Sequence, residues 1–91
     1  MKEYFVYADY CATGEGRTAF VSIFKANNIK GAKKMLEDRI PDYFSRCIEA
    51  KLLGSKACKS IIRNYFDNDM ANHFENSEYK ELFMEMHFNH C

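Results

Sequence analysis

The chain has 91 residues, and its 13 Lys and Arg balance its 13 Asp and Glu, for a formal net charge of zero. A chain this short supports one hydrophobic core, so a single domain over residues 1–91 is expected. The charge balance argues against a dedicated polyanion binder, which needs surplus cations to neutralise phosphates, and equally against an acidic nucleic-acid mimic.

Eight Phe and six Tyr, with no Trp, make aromatic rings the main packing material. No stretch approaches the roughly 18 uninterrupted apolar residues of a membrane-crossing helix, and the start lacks the basic and apolar regions of a secretory leader, so a cytoplasmic protein is expected. The four cysteines, Cys11, Cys47, Cys58 and Cys91, form no CxxC pair and read as reduced thiols.

In chain order, residues 3–25 read as a β-hairpin. Tyr4, Val6 and Ala8 alternate with Phe5, Tyr7 and Asp9 in its first strand, and Ala19, Val21 and Ile23 alternate with Phe20, Ser22 and Phe24 in its second. Gly14 and Gly16 between them can supply the positive φ of a turn. The aliphatic set Val6, Ala8, Ala19, Val21 and Ile23 is assigned to the core. That assignment leaves Phe5, Tyr7, Phe20 and Phe24 on a second sheet face.

A helix follows, capped by Asn27 or Asn28, with Ile29, Ala32, Leu36 and Ile40 on one stripe, and Pro41 ends it. Lys30, Lys33 and Lys34 are followed within a turn by Glu37 and Asp38, the pattern of a solvated face. A second helix is expected over Asp42–Leu53, closed by Gly54. The third runs from Ser55 along Cys58, Ile61, Ile62, Tyr65, Phe66, Met70 and Phe74. Strict alternation from Glu81 to Asn89 then predicts a third strand, with Leu82, Met84, Met86 and Phe88 on one side and Phe83, Glu85 and His87 on the other. The expected fold is α+β: an N-terminal hairpin, two to three helices packed on one face, and a third strand in a small antiparallel sheet.

Candidate chemistry is sparse. Gly14-Glu15-Gly16-Arg17-Thr18 lacks the length and the Lys-Ser/Thr of a phosphate loop and enters a strand rather than a helix. His87, His90 and Cys91 are zinc-capable types, yet they lack the close pairing of a structural zinc site. Asp67, Asp69, Glu75 and Glu78 match calcium-loop positions, but Asn72 stands where the turn glycine belongs. No motif places a histidine beside any of the cysteines, so no catalytic residue, cofactor or metal is assigned.

What remains is the aromatic second face, too large a patch for a soluble chain to leave bare. It predicts a non-enzymatic module that binds another protein, or a second copy of itself, through that face or an exposed strand edge. Tyr7, Phe20, Phe24 and Phe83 are the expected aromatic anchors, with Glu15 and Arg17 as specificity contacts at the turn. By analogy of class alone, phage and mobile-element inhibitors of host complexes, anti-CRISPR proteins among them, work through such surfaces. The alternatives are a single-stranded nucleic-acid module that adds Lys30, Lys33, Lys34, Lys56, Lys59 and Arg63 to the aromatics, and a small enzyme or zinc protein using the C-terminal His and Cys residues.

Overall fold

A computed structural model of the chain describes residues 1–12, 16–75 and 82–89. Two long strands, β1 (Lys2–Ala12) and β2 (Gly16–Ala26), form the expected hairpin, followed by helix α1 (Ile29–Glu37) and a short 3-10 helix (Asp42–Cys47). Strand β3 (Ile48–Leu52), helices α2 (Lys56–Ile62) and α3 (Asn68–Glu75) and strand β4 (Leu82–Phe88) complete the order. The sheet is antiparallel and four-stranded, in the order β3-β1-β2-β4. An α+β fold is therefore correct, whereas three strands was an undercount.

The additional strand lies where a second helix was expected. Ile48 and Ala50 are buried on one side of β3, while Glu49 and Lys51 alternate with them. The short apolar run after Phe44 fits either period, and pairing with the exposed edge of β1, Val6 opposite Ala50, decides for strand. The long third helix is also interrupted. Arg63 caps α2, and Asp67 accepts the Met70 amide at 2.9 Å to open α3, so local capping divides one apolar stripe into two helices.

The hairpin register overturns the facial assignment. Tyr4 pairs with Phe24, Val6 with Ser22 and Ala8 with Phe20, whereas Phe5 pairs with Ile23 and Tyr7 with Val21. Paired residues share a face, so each side of the sheet carries a mixture of aliphatic and aromatic groups. Both sides are covered. Tyr4, Val6, Ala8, Phe20 and Phe24 pack with Ala32 and Leu36 of α1, with Ile40 and with Phe44 of the 3-10 helix. On the reverse, Phe5, Val21 and Ile23 pack with Cys58 and Ile62 of α2 and Ala71 of α3. The helices thus form two layers around the sheet, and the expectation of helices on one face is corrected: strands apolar on both sides need cover on both. Ser22, the buried polar residue inside this sandwich, donates to the Val6 carbonyl at 2.8 Å.

Helix α1 follows its sequence signals closely. The Asn28 side chain accepts the Gly31 amide at 2.8 Å as N-cap, Ala32 and Leu36 are buried, and the helix stops before Pro41. Cysteine chemistry is divided. Cys47 and Cys58 are free thiols, as expected, but Cys11 is disulfide-bonded, since spacing along the chain does not report which thiols a sheet brings together.

Two glycines take φ near +88°, and they differ in surroundings. A Cβ on Gly16 would lie 2.5 Å from the Phe88 carbonyl oxygen, while one on Gly54 meets nothing within 4 Å. Gly54→Ala is expected to cost about 1 kcal/mol through backbone strain alone. Gly16→Ala should cost more, about 2 kcal/mol, because the end of β4 must also shift. Denaturant melts of the two variants check this ordering, and an equal cost would show that β4 does not press on Gly16.

Candidate functional site

The aromatic surface is built differently from the one expected. Phe20 and Phe24 are core residues on the α1 side of the sheet. From Phe20, rings continue in two directions: Phe83 of β4 stacks at 6.0 Å, and Phe44 meets it edge-on at 4.9 Å. Phe44 in turn carries Tyr10 at 5.9 Å and Tyr43 at 4.6 Å, with Tyr10 and Tyr43 in contact at 6.3 Å. Edge-to-face and offset geometries suit the ring quadrupoles and hold the array rigid.

This array has a buried base and an open rim. Phe20 and Phe44 are buried, whereas Tyr43 is 68% exposed, Tyr10 44% and Phe83 38%. Among the described residues, the exposed aromatics are thus Tyr10, Tyr43 and Phe83, of which only Phe83 was anticipated. Tyr10 could have been found from its phase, since it lies on the same alternating face as Tyr4, Val6 and Ala8. Tyr43 could not, because its position depends on a 3-10 turn that the sequence reads as the start of a helix.

Tyr7 and Arg17 lie on the opposite side of the sheet, in a second cluster. Tyr7 stacks on Phe5 at 5.5 Å and approaches Tyr65 at 5.9 Å. Arg17 Nε donates to Asp9 Oδ1 at 2.8 Å, its Nη2 reaches Oδ2, and the Tyr65 hydroxyl donates to Oδ2 at 2.8 Å. The guanidinium also lies 4.7 Å from the Phe88 ring centre and 5.5 Å from that of Tyr65. This cluster ties the turn end of the hairpin to the segment between α2 and α3.

The titration behaviour follows from these contacts. Burial pushes the Asp9 carboxyl up, but hydrogen bonds from Arg17 and Tyr65, with the Arg17 charge, outweigh it and hold the group below its ordinary value. Burial, and then the hydrogen bond to Asp9, push the Tyr65 hydroxyl up. Tyr7 is pushed up by burial and by nearby Glu49. Arg17 is held charged by Asp9, so its cation is satisfied within the chain. Glu15 lies outside the described residues, as do His90 and Cys91.

The remaining polar candidates are dispersed. His87 contacts Glu85 through Nε2 and sits 3.3 Å from the Thr18 hydroxyl through Nδ1, on the exposed face of β4. Lys30, Lys33 and Lys34 line the outside of α1, with Lys34 paired to Asp38 at 3.0 Å. Lys56 and Lys59 belong to α2 and Arg63 caps it, in the other helical layer, so the sheet separates the two cationic groups and they form no continuous track for a phosphate backbone.

Among the described residues, no helix is long and apolar enough to cross a membrane. No family model, curated protein or solved structure matches the chain.

Proposed function

We propose that the protein is a small non-enzymatic module that binds another protein through the rim formed by Tyr10, Tyr43 and Phe83. The observation that carries this reading is the rim itself: three exposed rings from three different elements, held by a buried Phe20–Phe44 base. Rigid aromatic side chains lose little conformational entropy on docking and are enriched among residues that dominate interface energies. Of the contacts proposed from sequence, Phe20 lies beneath this surface, Phe24 is in the core on the same side, and Tyr7 and Arg17 are on the opposite side of the sheet. An inhibitor that occupies a host protein complex, of the kind mobile elements deploy, is the proposed biological class; it rests on size and surface character.

The test is capture from cells by the tagged protein, with Tyr43→Ser and Phe83→Ser combined in one variant. A specific polypeptide recovered by the native chain and lost by the folded double variant, with binding weakened by about tenfold or more, is expected. Undiminished recovery by that variant would remove the rim from the binding surface.

A further inference from the structure

The two edges of the sheet are unlike. Strand β3 spans five residues, alternates Glu49 and Lys51 with its buried positions, and runs directly into the 3-10 helix on one side and the Gly54 turn on the other. Those are the usual means of blunting an edge. Strand β4 is longer, and among the described residues no strand pairs with its outer edge. Its seven residues, Leu82–Phe88, include no Pro, Gly, Lys or Arg, none is buried, and Met84 is 37% exposed.

The order of side chains along β4 specifies what pairs with it. Two identical antiparallel strands in one continuous sheet are related by a two-fold axis normal to the sheet, and paired residues share a face, so one residue must lie opposite its own copy. Centring the axis on Glu85 opposes two carboxylates, and centring it on His87 opposes two imidazoles. Centring it on Met84 sets Phe83 against Glu85. Centring it on Met86 sets Glu85 opposite the partner's His87 and His87 opposite the partner's Glu85. It also sets Met84 against the partner's Phe88 and Phe83 against the partner's Asn89. Of these four centres, only Met86 sets Glu85 and His87 opposite one another.

We infer that a second copy of this chain pairs with the open edge of β4, antiparallel and centred on Met86, to make one continuous sheet across a two-fold dimer. Glu85 and His87 already meet within one chain, on one face. Across the axis the two Glu85–His87 pairs lie side by side, each carboxylate opposite the partner's imidazole, with its second oxygen able to accept there. On the opposite face, Met86 packs on the partner's Met86 and Met84 on the partner's Phe88. Tyr10 and Tyr43 lie beyond β2, away from the seam, whereas Phe83 is shared, being on β4 opposite the partner's Asn89.

The experiment is sedimentation velocity over a concentration series with three proteins: the native chain, His87→Glu, and the exchanged pair Glu85→His/His87→Glu. The native chain should sediment at twice its 10.7 kDa mass. His87→Glu, which gathers four carboxylates at the seam, should sediment as a monomer, and the exchanged pair should recover the dimer. Amide hydrogen exchange should show outward-facing amides of β4 protected in the native chain and released in His87→Glu. A native monomer, a dimer indifferent to His87→Glu, or a failure of the exchange to restore it would each overturn this pairing. Partner capture through Tyr43, which lies outside the seam, is read separately with Tyr43→Ser alone, so either result can stand without the other.

Discussion

Phe24→Ala is expected to destabilise the fold by about 3–5 kcal/mol, the range for removing a buried aromatic ring. Phe24 is fully buried in the layer between the sheet and α1, and the Arg39 guanidinium covers its ring at 4.7 Å. A chain of this size has only about 5–10 kcal/mol in total, so the variant should be partly unfolded near physiological temperature. Tyr43→Ser, at the most exposed ring of the array, should change stability by no more than about 0.5 kcal/mol. Urea melts followed by circular dichroism separate the two. A cost for Phe24→Ala as small as that for Tyr43→Ser would mean that the α1 side of the sheet is open after all.

Asp9→Asn is the second large effect, with an expected loss of about 2–3 kcal/mol. The carboxylate holds Arg17 and Tyr65 together, and the Asp9 and Arg17 side chains are only 25% and 27% exposed, so the substitution strands a guanidinium that water reaches poorly. Its dependence on pH has a definite sign. Because the folded-state value of Asp9 is lowered, its contribution is present above its unfolded value, about 3.9, and is lost as pH falls through the lower folded value. Native and variant stabilities should therefore converge in acid. Tyr65 works at the other end: its raised value gives stability that is full below about pH 10 and declines as pH rises towards the folded value. With no Trp in the chain, tyrosinate absorbance reports this directly, and Tyr65 should ionise earlier in Asp9→Asn than in the native protein. A parallel pair of stability curves across the acid range would contradict the role given to the carboxylate.

Local signals in the sequence were sufficient for the hairpin, for the Asn28 cap and Ala32–Leu36 stripe of α1, and for the alternation of β4. They were insufficient where the answer depended on register. The period-2 pattern says that Phe5 and Val6 face opposite ways; it does not say whether Phe5 shares a side with Ile23 or with Phe24. Aliphatic residues were grouped with aliphatic residues, and the real register, which sets Phe5 opposite Ile23, divides them. Strand β3 was missed because its five residues form a strand only by pairing with the exposed edge of β1. The Asp9–Arg17–Tyr65 cluster was invisible because its members are separated by 8 and 56 positions along the chain from Asp9. The surplus of aromatic residues did point to both a core and a surface. Tertiary packing alone decided that Phe20 and Phe24 belong to the first and Tyr10 and Tyr43 to the second.

The central claim is that the rim around Tyr43 is where another protein docks, and site-specific photo-crosslinking tests it most directly. With p-benzoylphenylalanine replacing Tyr43 in cells, a covalent adduct to one polypeptide is expected, and none with the same group replacing Lys59, which is exposed on α2 in the opposite layer. Equal adducts from both positions, or an adduct from Lys59 alone, would contradict the account.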